Sequence, residues 1–244
     1  MLHSGLVSVT FRQLKAEEIT ALVVRAGLEG IEWGGDIHVP HGELKRAAEV
    51  RKMTEDAGLL VAAYGSYYIA GHGEKGPVVF DKVLDSAVAL KAPTIRVWAG
   101  DKGSCEADRE WRNKVIEDSR RIASLAEAAG ITISFEYHRD TLTDTTESAY
   151  AFFKETSHKN VRSYWQKRFN EDGAKGLDGL NTVTPWLSNI HVNGLEDSFE
   201  EWQKYVDYVN KLNGDRFIML EFVKNNCPEC FLKDAEALKQ LILL

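Results

Sequence analysis

The ten residues Ile131–Asp140, ITISFEYHRD, decide how this chain is read. Ile131, Ile133, Phe135 and Tyr137 are large and apolar, while Thr132, Ser134, Glu136 and His138 alternate with them as smaller or polar residues. An alternation of period two puts two chemically different faces on one strand. The polar face ends in a carboxylate and an imidazole, where the strand gives way to the polar run RDTLTDT. Two later apolar segments end in the same way, NIHVNG with His191 and FIMLEFV with Glu221.

Working outward from this stretch, the same unit recurs. LVSVTF (Leu6–Phe11) is expected as the first strand, followed by the amphipathic helix AEEITALVVRAG with Gly27 as its C-terminal cap. LEGIEWG, LLVAAYGSYY and PTIRVWAG are the next three strands. The helices between and after them are ELKRAAEVRKMTEDAG, PVVFDKVLDSAVALKA (Pro77 near its first turn) and a segment from Glu106 to Gly130. Beyond the central strand come the helix ESAYAFFKETS, the strand Asn160–Gln166, a weaker helix GAKGLDGLNTV and the strand NIHVNG. FEEWQKYVDYVNKLN, RFIMLEFV and FLKDAEALKQLILL complete the alternation. Asp144 with Glu147, and Ser198 with Glu201, have the spacing of capping boxes.

Eight short strands alternating with eight helical patterns predict βα units on a parallel sheet, and eight such units close most naturally into an α/β (β/α)8 barrel. No linker or composition shift divides the chain, so residues 1–244 are expected to form one domain. In such a barrel the chemistry sits at the carboxyl ends of the strands. The polar parity then aims Glu32, Arg96, Glu136, Gln166, His191 and Glu221 at the mouth. Ile31, Ile95, Val97, Ile133, Ile190 and Val192 are left to pack beneath the helices.

Composition narrows the function. Thirty Lys and Arg against thirty-seven Asp and Glu give a formal charge of −7, which argues against a clamp for the nucleic-acid backbone. Three cysteines, Cys105, Cys227 and Cys230, do not make a disulfide scaffold. The CPEC pair opens the last helix, but without a second pair for zinc or a thioredoxin-like neighbourhood its redox or zinc role ranks low. The start MLHSGLVSVTFRQ has no signal-peptide pattern, and no apolar run approaches the roughly 18 residues of a membrane helix. A cytoplasmic globular protein without a membrane partner is expected.

Glu136, His191 and Glu221 form the strongest constellation: three ligand-type residues at the ends of strands five, seven and eight. They suit a metal centre. The competing reading is an ion network in which Glu136 and Glu221 pair with Arg96 and Arg139. Gln166 completes the ring as a neutral amide. His38 and His41 in the loop GGDIHVPHG, and His138 beside Glu136, are candidates for substrate contact. So are the aromatic residues near strand ends, Trp33, Tyr64, Tyr67, Tyr68, Trp98, Trp165 and Trp186, because sugar rings stack on aromatic faces. GHGEKG (Gly71–Gly76) lacks the pattern of a nucleotide-binding P-loop.

At these residues the chain resembles the xylose-isomerase-like barrels, the broad group of sugar-phosphate isomerases and epimerases related to endonuclease IV. The resemblance is carried by GIEWGGDIHVP, FEYHRDTLTDT, NIHV and LEFVK. It implies a divalent metal held at Glu136, Gln166, His191 and Glu221, with Gln166 standing where the family more often has Asp. The basic residue that several members carry after the seventh-strand His is absent, since VNGLED follows His191. It further implies an isomerase or epimerase for a small sugar, sugar phosphate or related ketone. Glu136 and Glu221, on opposite sides of the substrate, would exchange the α-proton through an enediolate. Mn²⁺, Mg²⁺ or Co²⁺ suits an oxygen-rich site with one imidazole, and Zn²⁺ stays open. Glu32, Trp33, His38, Arg96, His138 and Lys224 are the expected substrate contacts. A homodimer is also in view, since barrels of this family often pair. Two other functions remain: a non-catalytic sugar-binding barrel, and an endonuclease-IV-like phosphodiesterase on abasic DNA. The latter needs about three clustered metals and a basic face, which seven histidines and the acidic balance disfavour.

Overall fold

A computed structural model describes residues 1–168 and 171–243. Eight parallel strands close into a barrel in sequence order, β1 (Leu2–Val7), β2 (Gly30–Gly34), β3 (Leu60–Ile69), β4 (Thr94–Trp98), β5 (Thr132–Glu136), β6 (Val161–Gln166), β7 (Leu187–Val192) and β8 (Arg216–Leu220). The ring shuts where Leu2 to Leu6 of β1 pair with Arg216 to Leu220 of β8. A helix follows each strand: α1 (Ala16–Ala26), α2 (Leu44–Asp56), α3 (Phe80–Leu90), α4 (Arg109–Ala128), α5 (Thr146–Thr156), α6 (Gly173–Val183), α7 (Phe199–Val209) and α8 (Pro228–Leu243). Leu244, the last residue of the expected final helix, lies outside the described residues.

The expected alternation holds through the barrel. Ile31, Ile95, Val97, Ile133, Phe135, Ile190 and Val192 are buried in one apolar layer with Val23, Val50, Val83, Ile122, Phe152, Val206 and Leu238 of the helices. Each such side chain contributes about 1.5–3 kcal/mol by leaving water. The opposite parity fills the barrel itself, where Val7, Ala63, Tyr164 and Met219 form a smaller apolar plug.

Three local expectations are corrected. The first strand is Leu2–Val7, and Ser8–Phe11 is a single 3-10 turn. His3 and Gly5 hide the strand pattern, and Gly5 is small because a Cβ there would lie 2.7 Å from the Met219 side chain inside the barrel. Helix α5 is capped by Thr145, whose hydroxyl accepts from Ser148 N at 3.1 Å. Asp144 instead accepts from Ser104 N at 2.8 Å and ties the loop after β5 to the loop after β4. Ser198 precedes α7 without capping it, because its hydroxyl donates to Gly194 O at 2.6 Å.

Candidate metal centre

Registers around the barrel bring the ends of β5, β6, β7 and β8 to one level: Glu136 lies opposite Tyr164, Gln166 opposite His191, and Val192 opposite Leu220. Glu221 follows β8 directly, and its N–H donates to Val192 O at 2.8 Å. Ligand atoms of Glu136, His191 and Glu221, all buried, lie within 4.8 Å of one another and could hold a metal ion.

Glu136 is held on both sides. One oxygen accepts from the Arg96 guanidinium and from Trp98 Nε1 at 2.6 Å. The other accepts from Gln166 Nε2 at 3.2 Å. Burial pushes the Glu136 pKa up, but Arg96 and His191 together outweigh it, and the carboxyl stays well below its usual range. Arg96 also donates from Nε to Glu32 at 2.7 Å, so one guanidinium bridges two buried carboxylates. Gly65 makes the bridge sterically feasible, since a Cβ there would lie 2.7 Å from Glu32 Oε1 and 2.8 Å from the Arg96 guanidinium. Glu221 differs: among the described residues its carboxylate accepts no hydrogen bond, although His191 Nδ1 lies 3.3 Å away.

His191 is fully buried and faces carboxylates at both ends of its ring. Nε2 lies 3.2 Å from Glu32. Nδ1 lies 3.4 Å from Glu136 and 3.3 Å from Glu221, and among the described residues it has no hydrogen-bond partner. An orphaned buried polar atom is costly and calls for an explanation. Burial lowers the His191 pKa, but Glu221 and Glu32 raise it more, and the net shift is well upward. With a neutral imidazole, the three carboxylates of Glu32, Glu136 and Glu221 face one guanidinium and keep two negative charges. A divalent cation at Nδ1 would cancel that excess and satisfy the orphaned nitrogen, so these residues fit a metal by charge and by donor set.

The sequence-derived candidates separate into three groups. Glu32, Arg96, Glu136, Gln166, His191 and Glu221 come together as the parity requires. Gln166 adjoins the centre through its amide nitrogen, which also donates to Tyr137 O at 2.6 Å, and its oxygen is turned toward Asn193. His138 borders the group, its ring stacked on Trp98 at 4.6 Å.

Trp33 and His38 are turned away from the centre, which corrects their expected contact with substrate, and Lys224 makes no contact with it among the described residues. Trp33 has the outward parity, is fully buried, and donates to Thr54 of α2 at 3.1 Å. His38 is buried between Ser8 Oγ (3.0 Å) and Leu14 O (3.2 Å), where it pins the loop after β1. Lys224 pairs with Glu196 at 2.7 Å on the surface. The ion-network alternative also changes partners, because Arg139 is 87% exposed and it is Glu32 that shares Arg96 with Glu136.

Of the strand-end aromatic residues, Trp98 and Tyr67 adjoin the carboxylates. The Tyr67 ring lies 5.1 Å from the Arg96 guanidinium, at a break in the β3–β4 register. Trp165 packs among the helices against Trp202 and Tyr205, and Trp186 stacks on Phe153. Tyr164 joins the group, since its hydroxyl donates to Glu32. The inward parity it shares with Gln166 is the sequence signal that marks it.

No helix among the described residues is long and apolar enough to cross a membrane. A family model described as the xylose isomerase-like TIM barrel matches residues 20–166. The curated 3-dehydroshikimate dehydratase of Bacillus anthracis is 24% identical over 207 residues, which cover 80% of this chain and 72% of that protein. The crystal structure of the probable 3-DHS dehydratase involved in petrobactin synthesis, from the same organism, superposes with a TM-score of 0.79 at 20% identity. That match covers 98% of this chain and 99% of the other. D-psicose 3-epimerase, solved in the presence of D-fructose, gives 0.74 at 18% identity over 99% of both chains. A xylose isomerase-like TIM barrel protein from Mycobacterium smegmatis in complex with magnesium gives 0.74 at 17% identity, over 98% of this chain and 97% of that one. These structural likenesses show a common fold, and the family match extends over more than half of the sequence. The chain belongs to the xylose isomerase-like TIM barrel family.

Proposed function

We propose that this barrel is a metal-dependent enzyme that takes a proton from the carbon beside a carbonyl in a small polyhydroxylated compound, and that it acts as an isomerase or epimerase. The observation that carries the proposal is the orphaned Nδ1 of His191, buried between the carboxylates of Glu136 and Glu221. Glu136, His191 and Glu221 would hold the cation, with Gln166 as a neutral fourth neighbour. Mn²⁺, Mg²⁺ or Co²⁺ suits two carboxylates and one imidazole. Bound there, a divalent cation would polarise the substrate carbonyl and acidify the adjacent C–H.

The chain's own residues divide the remaining work. Glu221, whose carboxylate is free of donors among the described residues, is the base that receives the α-proton. Glu136 is kept anionic by Arg96 and Trp98, and in an epimerisation it would serve the opposite face of the substrate. His138, stacked on Trp98, stands where it can contact a substrate hydroxyl. A small carbohydrate is the proposed substrate, in keeping with the sugar epimerase among the proteins that share this fold.

A second reading is loss of water, in which the α-proton goes to Glu221 and the hydroxyl on the next carbon departs. Two observations favour it. The curated relative from Bacillus anthracis is a dehydratase. Glu136 also already accepts from three donors, which suits a ligand better than a second proton carrier.

Incubating Mn²⁺-loaded protein in D₂O with D-fructose, D-psicose and 3-dehydroshikimate, followed by NMR, separates the two. Deuterium beside the carbonyl supports isomerase or epimerase chemistry, and an unsaturated product supports dehydration. Glu221→Gln should abolish either while the fold persists. Undiminished exchange in that variant would remove Glu221 from the mechanism.

A further inference from the structure

We propose that Glu32 is the positioning residue of the metal centre: it holds the His191 imidazole with a proton on Nε2, so that the ring meets the cation through Nδ1. This rests on the metal reading above and assigns a role to a residue that is no ligand itself.

Glu32 lies on β2, across the barrel from His191 on β7, and is fully buried. Its carboxylate meets three groups. Arg96 Nε donates to Oε1 at 2.7 Å, the Tyr164 hydroxyl donates to Oε2, and His191 Nε2 approaches Oε2 at 3.2 Å. An ionised carboxylate only accepts. A bare Nε2 lone pair aimed at it would be repelled, so Nε2 carries the hydrogen. A cation that takes the place of the Nδ1 proton then meets a neutral ring whose lone pair is at Nδ1, between Glu136 and Glu221. Tyr164 supports the arrangement twice, through its hydroxyl on Glu32 and through its ring, whose centroid lies 4.5 Å from that of His191. Its own hydroxyl is reached by Asn189 Nδ2 at 3.5 Å, and Asn189 is fixed in turn by Phe217 N at 2.9 Å. Buried polar partners thus run behind the imidazole and leave one nitrogen facing the centre. Partners of this kind set the tautomer and basicity of a metal-binding histidine.

A purely structural role, as counter-ion to Arg96, would predict lower stability with unchanged metal affinity. Two measurements on the full chain distinguish the roles. In ¹⁵N-labelled, Zn²⁺-loaded protein, long-range ¹H–¹⁵N spectra should show His191 protonated at Nε2 and metal-shifted at Nδ1. Titration calorimetry with Zn²⁺ and Mn²⁺ should find binding weakened about 10–100-fold in Glu32→Gln. Tyr164→Phe should weaken it by a smaller factor. Thr94→Val, whose hydroxyl bonds Ser134 deeper in the barrel, should leave it unchanged.

The proposal is overturned if zinc sits on Nε2, or if folded Glu32→Gln and Tyr164→Phe both bind within about twofold of wild type. Should Glu32→Gln fail to fold, Tyr164→Phe and the spectrum of the unmutated protein still decide. Wild-type protein that takes up no metal would refute the metal reading and this inference with it. Normal uptake with unchanged variant affinities would refute this inference alone.

Discussion

Replacing Arg96 by Met tests whether the guanidinium holds the buried carboxylates together. Arg96 is 2% exposed and bridges Glu32 and Glu136, which are equally buried. At the 2.7 Å of the Glu32 contact, an effective dielectric of about 20 gives roughly 6 kcal/mol of attraction before any desolvation cost. Breaking one buried pair by removing one partner costs about 3–5 kcal/mol in practice, because the other charge stays behind unpaired. In a chain of this size each kcal/mol moves Tm by about 2–4 °C, so Arg96→Met should melt roughly 6–20 °C below wild type in EDTA. Mn²⁺ should then raise the variant's Tm by more than it raises that of wild type, since the cation meets one more uncompensated negative charge. Circular-dichroism melting at neutral pH, with EDTA and then with Mn²⁺, reads both effects. A variant that melts with wild type in EDTA would refute the claim that the guanidinium offsets this charge.

Two further perturbations probe the surroundings. Gly65→Ala places a methyl group 2.7 Å from Glu32 Oε1 and 2.8 Å from the Arg96 guanidinium. It should cost about 1–3 kcal/mol by overpacking, and an unchanged denaturation midpoint would contradict the close approach. Asp234 on α8 is 8% exposed, and burial first, then Glu196 and Asp197, raises its pKa to about 6. The native state therefore holds this proton more tightly than the unfolded chain. The charged form destabilises the fold at neutral pH, and the penalty fades as pH falls from about 6 toward 4. A shift of this size is worth up to about 3 kcal/mol. Asp234→Asn should accordingly be more stable than wild type at neutral pH and indistinguishable from it near pH 4; an advantage independent of pH would sink the assignment.

How much the sequence discloses depends on which face of a strand carries the signal. The apolar parity in β5, Ile133 and Phe135, packs under helices, and it exposed the barrel because burial on that side demands a regular alternation. The opposite, polar parity aims Glu32, Arg96, Glu136, His191 and Glu221 inward, and residues up to 189 positions apart meet at one site. Trp33 illustrates the limit. It adjoins Glu32 in sequence, but a shift of one residue turns a side chain to the other face of the sheet, and Trp33 faces α2. His38 failed for another reason. A loop histidine follows no periodicity, and only the fold reveals that Ser8 and Leu14 close around it. β1 starts earlier than its pattern suggests because inside a narrow barrel the inward positions are small, and Gly5 carries no apolar signal. That Arg96 is shared by Glu136 and Glu32, with Arg139 outside the network, was likewise beyond the sequence, since it depends on which strand ends share a level across the barrel.

The central claim is that Glu136, His191 and Glu221 bind a divalent cation, and elemental analysis tests it most directly. Protein purified without chelator or His-tag is incubated with Mn²⁺, desalted and compared with a Glu136→Gln/Glu221→Gln double variant. The account predicts about one metal per wild-type chain and essentially none in a folded double variant. Wild-type protein that remains metal-free after loading, or a double variant that retains a full complement, would contradict it.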